Sequence, residues 1–473
     1  MTGSGRPHRL AQDAVERAID RAAGSRPIPG NRVELLFDGP AAFEQMLDLL
    51  ARAERWIHFD NYIFRDDRTG RRFAEALMAR AQAGVRVRLS VDWLGSYGTR
   101  RRLWRDLVHA GVAVHRFNRP ALFDLPSVLS RNHRKLVVAD GCRAVLGGIC
   151  IGDEWAGDPV AGRLPWRDTA VLVEGPAAGA LDRAFATTWA ESGEALPPDE
   201  LAGDVPAAGT ASVRVLAGEP ARERAYRVSE LLLASAGQRV WVTDAYLVAP
   251  RRLFRYLLDA AAEGVDVRLL VPGSSDIALV RNLTRIGYRD LLAAGVRIFE
   301  WAGPMLHAKT VVADGRWVRI GSSNLNHSSL VANYELDVLV EDEELGARME
   351  AQYRRDLDES AEVSTRPSRM PARLRQALPP VLRIQAPETS VARHRQGLRE
   401  RRGRSVLAVR TLVAGARVAV FGPLAAGLAA IGVLFFILPR AMGLIFGIAC
   451  IWLAAVAGAE ALRRRREKLE RTR

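Results

Sequence analysis

Arg131 to Gly152 reads RNHRKLVVADGCRAVLGGICIG, and Leu306 to Leu325 reads LHAKTVVADGRWVRIGSSNL. Each stretch contains His-x-Lys-x-x-x-x-Asp, as His133, Lys135 and Asp140 and again as His307, Lys309 and Asp314, with a glycine seven residues further on at Gly147 and Gly321. The chain has 68 lysines and arginines, and three of them are lysine: Lys135, Lys309 and Lys468. Two of those three occupy the same place in the two copies, so a chain built on arginine keeps a compact ammonium where the motif recurs.

The repetition extends upstream. RWIHFDNYIF (Arg55 to Phe64) matches RVWVTDAYLV (Arg239 to Val248), GVRVRLSVD (Gly84 to Asp92) matches GVDVRLLVP (Gly264 to Pro272), and AGVAV (Ala110 to Val114) matches AGVRI (Ala294 to Ile298). In each copy an apolar strand leads into an Ala/Leu-rich helix, then a Gly-Val turn, a second strand and another helix. Strands alternating with helices at this spacing predict an α/β unit with helices covering a sheet, present twice.

In a strand, residues i and i+2 face the same way, so His133 projects with Lys135 and His307 with Lys309. Face to face, the two copies supply two imidazoles and two ammonium groups around one pocket. That set can attack a phosphodiester, with one neutral imidazole as nucleophile, one imidazolium as acid for the leaving alkoxide, and two cations on the phosphoryl oxygens. Neither a metal nor any other cofactor is needed. Val171-Leu172-Val173-Glu174 aligns with Val338-Leu339-Val340-Glu341, which sets Asp168 opposite Glu335. A carboxylate on the Nδ1–H of each imidazole would fix its tautomer; a solvated acid at a strand edge is the competing reading of Asp168.

Paired His-x-Lys-x-x-x-x-Asp motifs define the phospholipase D superfamily, and residues 32 to 358 resemble it. The text around the motifs (NHRKLVVADG, GGICIGDEW, WRDTAVLVEGP, VPGSSD, GSSNLNHSS, NYELDV) resembles the bacterial cardiolipin synthases. The resemblance implies a tandem α/β sandwich, two mixed-sheet halves with the active site at their pseudo-twofold interface. It also implies His133 as nucleophile, His307 as acid and then base, Lys135 and Lys309 as phosphate ligands, Ser322 and Asn324 as further phosphate donors, and Asp140 and Asp314 as motif acids supporting catalysis. One departure is Cys150, which aligns with Asn324 where the family commonly has Asn. A thiol is a poor substitute for an amide donor, and with nothing nearby to activate it, a packed inert thiol is the expectation.

The formal charge is +14. From Arg366 to Arg473 there are 21 basic and 5 acidic residues, a tail of +16 that leaves −2 for the remainder. Within the tail, Val418 to Leu438 and Ala441 to Ala459 lack charges, and each is long enough to span the roughly 30 Å of hydrocarbon in a bilayer. Arginines flank both runs, so a hairpin of two transmembrane helices with both ends in the cytoplasm is predicted, at the inner (cytoplasmic) membrane. Met1 to Arg32 is polar, without the apolar core of a signal peptide. Three cysteines (Cys142, Cys150, Cys450) cannot form a disulfide framework or a cysteine-based metal cluster.

The expected organisation is a polar amphipathic segment (1–31), two phospholipase D-like halves (32–205 and 211–365), an Arg/Pro-rich linker (366–417), the hairpin (418–459) and a basic tail (460–473). Tyr62 and Tyr246, which follow matching aspartates, read as structural, and the apolar residues of the 118–131 loop read equally as packing or as acyl-chain contacts. The partners implied are a membrane and its anionic phospholipids, phosphatidylglycerol and cardiolipin. The reaction expected is 2 phosphatidylglycerol to cardiolipin and glycerol through a phosphohistidine. A phospholipase D hydrolase or another phosphatidyltransferase is the alternative. A nuclease of the same superfamily ranks lower, because duplex binding calls for a basic face that a −2 catalytic part does not advertise.

Overall fold

The computed structural model describes residues 5–118, 130–220, 222–276, 283–326, 329 and 333–364. The apolar runs of the first copy become β1 (Ile28–Phe37), β2 (Trp56–Asn61), β3 (Arg86–Asp92), β4 (Ala113–Phe117), β5 (Leu136–Ala139), β6 (Arg143–Gly147) and β7 (Thr169–Glu174). Those of the second become β8 (Ala211–Gly218), β9 (Arg239–Asp244), β10 (Asp266–Pro272), β11 (Arg297–Trp301), β12 (Lys309–Ala313), β13 (Trp317–Gly321) and β14 (Glu335–Glu341), followed by a short β15 (Ser360–Glu362). Strand β2 is buried at every position, as a strand covered on both faces must be.

Across the sheet the order is β4, β3, β2, β5, β6, β7, β1, then β8, β14, β13, β12, β9, β10, β11, β15. Apart from β15, one side repeats the other outward from the centre. Strands β2, β3 and β4 run parallel to one another, as do β9, β10 and β11. The two mixed-sheet halves expected from the sequence are joined edge to edge: β1 pairs antiparallel with β8, making a single 15-stranded sheet. The two edges that would otherwise be open thereby close each other.

Helices Asp38–Ala51, Arg68–Gln82 and Arg101–His109 cover one face of the first half, packing Phe43, Met46, Phe73 and Leu77 with Ile57, Phe59 and Leu89. Arg224–Ser235 and Arg251–Ala262 do the same in the second half, where the N-terminal helix Gly5–Ala23 adds Ile19 and Ala23. That helix is also tied on by Asp20, whose carboxylate accepts from Arg214 at 2.8 Å, so the 1–31 segment contributes core to the second half. On the remaining face, helices Pro176–Ala190 and Glu343–Asp358 close a core that runs through both halves, with Val138, Leu181 and Phe185 in one cluster with Val312, Val338 and Tyr353. A fully buried side chain of this size stabilises by roughly 1.5–3 kcal/mol, and sharing one cluster makes the seam between the halves a rigid platform.

Among the described residues no helix is long and apolar enough to cross a membrane. The expected linker (366–417), hairpin (418–459) and basic tail (460–473) lie outside the described residues, as does 119–129 of the 118–131 loop.

Candidate active site

Both motif histidines sit just before a central strand, His133 ahead of β5 and His307 ahead of β12. There the backbone of one half bonds to the other. The His133 N–H donates to the Tyr334 carbonyl at 2.9 Å, and the His307 N–H donates to the Arg167 carbonyl at 2.7 Å. The residues that follow those two carbonyls are Glu335 and Asp168. Consequently each imidazole meets a carboxylate from the opposite half: His133 Nδ1 lies 2.9 Å from Glu335 Oε2, and His307 Nδ1 lies 2.8 Å from Asp168 Oδ2. A carboxylate at Nδ1 sets the Nδ1–H tautomer and leaves each Nε2 for chemistry.

Two buried arginines fasten the strands that carry these acids. Arg134 donates to the carbonyls of Glu335 (3.2 Å), Ala184 (2.6 Å) and Gly218 (3.0 Å). Arg167 makes a bidentate pair with Asp356 at 2.8 Å through both contacts, and reaches Asp38 at 3.3 Å. Asp38 also accepts from the Asp168 N–H at 3.0 Å.

The lysines are buried beside their histidines. Lys135 Nζ donates to the His133 carbonyl at 2.5 Å and lies 5.2 Å from the Tyr62 ring centroid. Lys309 Nζ donates to the His307 carbonyl and lies 5.8 Å from the Tyr246 ring. Among the described residues neither ammonium makes a direct ion pair with a carboxylate, although Asp168 acts on both through space and Glu335 on Lys135, so their N–H groups are not taken up by an acid. Burial is the main force lowering both lysines, Lys309 to about 8. Burial also lowers both imidazoles, with the nearby lysine charge adding to it against the raising effect of the paired carboxylate, and it takes His307 to about 4. Each lysine acts on the histidine of the other half as well as its own, as groups around one pocket must. Burial pushes Asp168 and Glu335 upward, but the facing histidine, the neighbouring lysine and the hydrogen bonds from Thr169 and Ser322 together outweigh it, and both lie below the usual carboxylate range.

The two carboxylates are supported differently. Ser322 donates to Glu335 Oε2 at 2.5 Å and accepts the Leu336 N–H at 2.9 Å. Its hydroxyl is thus spent on the carboxylate, which corrects the expectation of a free phosphate donor. The equivalent residue in the first half is Gly148, where a Cβ would come within 2.1 Å of Asp168 Oδ1. With no room for a serine, Asp168 accepts instead from Trp155 Nε1 at 3.0 Å and from the Thr169 N–H at 2.8 Å. Asn324 gives its amide to Ser329 Oγ at 3.4 Å, while its Oδ1 is buried without a hydrogen bond among the described residues. Cys150, its counterpart, packs with Ile149 and Ile151 in the first-half core, and burial raises its thiol, the protonated form that apolar packing favours.

Asp140 and Asp314 require a second correction, because neither reaches the imidazoles. Seven residues of extended chain carry them about 20 Å from the motif histidines. Asp140 accepts the backbone N–H groups of Glu54, Arg55 and Trp56 at 2.7–3.0 Å, and Asp314 those of Gly237, Gln238 and Arg239 at 2.8–2.9 Å. Each opens a hairpin turn with φ of 53° or 50°, followed by a glycine at 68°. The Asp-Gly pair builds the turn and anchors the strand beside it.

Four aromatic residues complete the pocket. Tyr62 stands edge-on to His133 with ring centroids 4.8 Å apart, and Tyr246 stands 6.0 Å from His307. Trp155 and Trp166 pack on His307 at 5.4 and 5.8 Å. The aligned positions of the two tyrosines were a usable clue; the tryptophans have no aligned partner.

Two crossed His–carboxylate pairs and two buried lysines at the seam of a duplicated α/β sheet define a phospholipase D-type catalytic unit. Residues 231–357 match the family described as "Cardiolipin synthase, PLD-like domain". Over 378 residues the chain is 33% identical to cardiolipin synthase A of Pseudomonas fluorescens, covering 78% of each. Over 376 residues it is 34% identical to cardiolipin synthase A of Pseudomonas aeruginosa, covering 78% of this chain and 76% of that one. The crystal structure of a phosphatidylserine synthase from Haemophilus influenzae superposes with a TM-score of 0.58 at 14% identity, over 74% of this chain and 92% of that one, a likeness of fold. The chain belongs to the cardiolipin synthase family of the phospholipase D superfamily.

Proposed function

We propose that this chain is a phosphatidyltransferase making cardiolipin and glycerol from two molecules of phosphatidylglycerol, and that it works through a phosphohistidine. The observation that carries the reading is the pair of crossed imidazole–carboxylate contacts, one completed by each half, beside two buried ammonium groups. Lys135 and Lys309 hold the non-bridging oxygens of the donor phosphodiester. His133 Nε2 attacks phosphorus, the bond to the glycerol oxygen breaks, and His307 gives its Nε2 proton to the departing alkoxide. The incoming diester anion beside His307 supplies the negative charge that favours its protonated form in that step. His307, now neutral, takes the proton of a terminal hydroxyl on the acceptor phosphatidylglycerol. That oxygen bonds to phosphorus as the P–Nε2 bond breaks, restoring His133. Asp168 and Glu335 hold the rings and stabilise the imidazolium that forms on either side. Residues 32–205 and 211–365 act as the two halves of one catalytic unit, and residues 418–459 hold it to the cytoplasmic membrane.

Incubating the full chain in vesicles with headgroup-labelled phosphatidylglycerol tests this. Labelled glycerol and cardiolipin should appear together. Phosphatidic acid without cardiolipin would establish a hydrolase, and cleavage of DNA without lipid turnover would establish a nuclease.

A further inference from the structure

Six large apolar side chains stand well exposed among the described residues: Leu94, Tyr97, Val108, Val160, Leu164 and Ile286. Single exposed apolar residues are ordinary, but the placement of these is not even. Leu94 and Tyr97 follow the C-terminal end of β3, where Asp92 accepts the N–H groups of both Leu94 and Asn132, the neighbour of His133. The intervening Ser96 donates to the carbonyl of Tyr62, whose ring touches His133. Val160 (98% exposed) and Leu164 (70%) belong to the loop that ends at Trp166, the residue against His307. Ile286 follows Arg285, which is paired to Glu300 near the C-terminal end of β11. Since β3 is parallel to β2, and β5 begins where β2 ends, all five lie at the end of the sheet that carries the motif histidines. Val108 alone lies at the opposite end, ahead of the start of β4.

Exposed arginines accompany the apolar residues: Arg100, Arg101 and Arg102 follow Tyr97, and Arg163 precedes Leu164; Arg100, Arg102 and Arg163 make solvent-exposed pairs with Asp66, Asp106 and Asp158, which contribute little and leave the guanidinium groups open to exchange with lipid phosphate. Apolar tips flanked by cations on one face fit a surface that is anionic outside and hydrocarbon within. We propose that these two loops, with the segment around Ile286, form a docking face that inserts into an anionic lipid bilayer and sets the pocket against it. This rests on the phosphatidyltransferase reading, since a diester held in a membrane must reach histidines that are themselves buried. The face acts in addition to any anchor, by orienting the pocket.

The test uses the full chain with Cys142 and Cys450 replaced by Ser, reconstituted in vesicles of phosphatidylglycerol and phosphatidylcholine. A nitrobenzoxadiazole label on Val160→Cys should be quenched by lipids bearing a nitroxide on the acyl chain, and the same label on Val108→Cys should not. Equal quenching at both sites, or none at Val160, would overturn the proposal. So would a response of the Val160 label to protein concentration in lipid-free detergent, which would mean self-association. In parallel, Val160→Asp with Leu164→Asp should lower turnover of bilayer phosphatidylglycerol at least tenfold while sparing a short-chain, dispersed phosphatidylglycerol; an unchanged rate on bilayers would also overturn it. Because quenching does not require turnover, the docking face can be judged even if the assigned reaction proves wrong.

Discussion

The two halves share strand order, motif and turn, yet they treat the carboxylates that face their motif histidines differently. Glu335 leans on a serine hydroxyl from its own half, whereas Asp168 takes an indole N–H because Gly148 leaves no room for a hydroxyl. His307 is enclosed by Trp155 and Trp166, while His133 has the edge of Tyr62. Duplication has thus kept the paired histidines and lysines and let their supports diverge, the pattern expected when two equivalent sites take unequal roles.

The sharpest way to break the equivalence is to remove each histidine. His133→Ala and His307→Ala should each lower kcat by at least about 10⁴-fold, since each removes a group that forms bonds or moves protons in the reaction. They should differ in what remains: the His133 variant forms no phospho-enzyme, and the His307 variant, given a substrate with a good leaving group, accumulates it. Phospho-enzyme on the His133 variant would reverse the assignment.

Next are the crossed carboxylates, where Glu335→Gln and Asp168→Asn should each lower kcat about 10²–10³-fold, within the range of acid–base contributions. With a donor carrying a good leaving group, which spares His307 its role as acid, single-turnover kinetics should show Glu335→Gln slowing formation of the covalent intermediate, which depends on His133, and Asp168→Asn slowing its resolution, which depends on His307. Equal effects on both steps would mean that the roles are shared.

Much of this arrangement was legible in the chain, because strand spacing puts His and Lys on one side and the matching Val-Leu-Val-Glu runs put Asp168 in register with Glu335. What stayed hidden were contacts across the seam. His133 and Glu335 are 202 residues apart and His307 and Asp168 are 139 apart, and register within a half does not specify which half supplies the partner. For the same reason the β1–β8 pairing and the packing of Trp155 and Trp166 on His307 were invisible, as they arise from the meeting of two surfaces.

Lys309 offers a subtler test, of the charge that both halves place in the pocket. With its ammonium lowered to about 8, it is charged at pH 7 and loses that charge as pH rises through about 8, so the pocket then grips an anionic diester less well. kcat/KM should fall toward tenfold per pH unit above that point. Lys309→Arg, whose cation persists, should be slower at neutral pH but lack that limb; an unchanged alkaline limb in the variant would assign it to another group.

Smaller effects are expected from the diverged supports. Ser322→Ala and Trp155→Phe each delete one hydrogen bond to a carboxylate, worth about 1.5–3 kcal/mol for a charged acceptor, and should lower kcat by about ten- to a hundredfold with little change in KM. If the halves are specialised, the Ser322 variant should follow Glu335→Gln in slowing intermediate formation, and the Trp155 variant should follow Asp168→Asn in slowing resolution.

The smallest catalytic effect should come from the motif aspartates, where the two halves are most alike. Asp140 and Asp314 each hold three backbone N–H groups at the start of a strand and sit at positive φ, at the far end of the strand from the motif histidines. Asparagine tolerates that φ but brings one acceptor oxygen in place of two and no charge. Asp140→Asn and Asp314→Asn should therefore each cost about 1–3 kcal/mol of stability, read as a lower denaturation midpoint, while kcat per folded molecule stays within about twofold of the parent. A large loss of kcat at unchanged stability in either variant would return that aspartate to the reaction and end its reading as a turn and strand anchor.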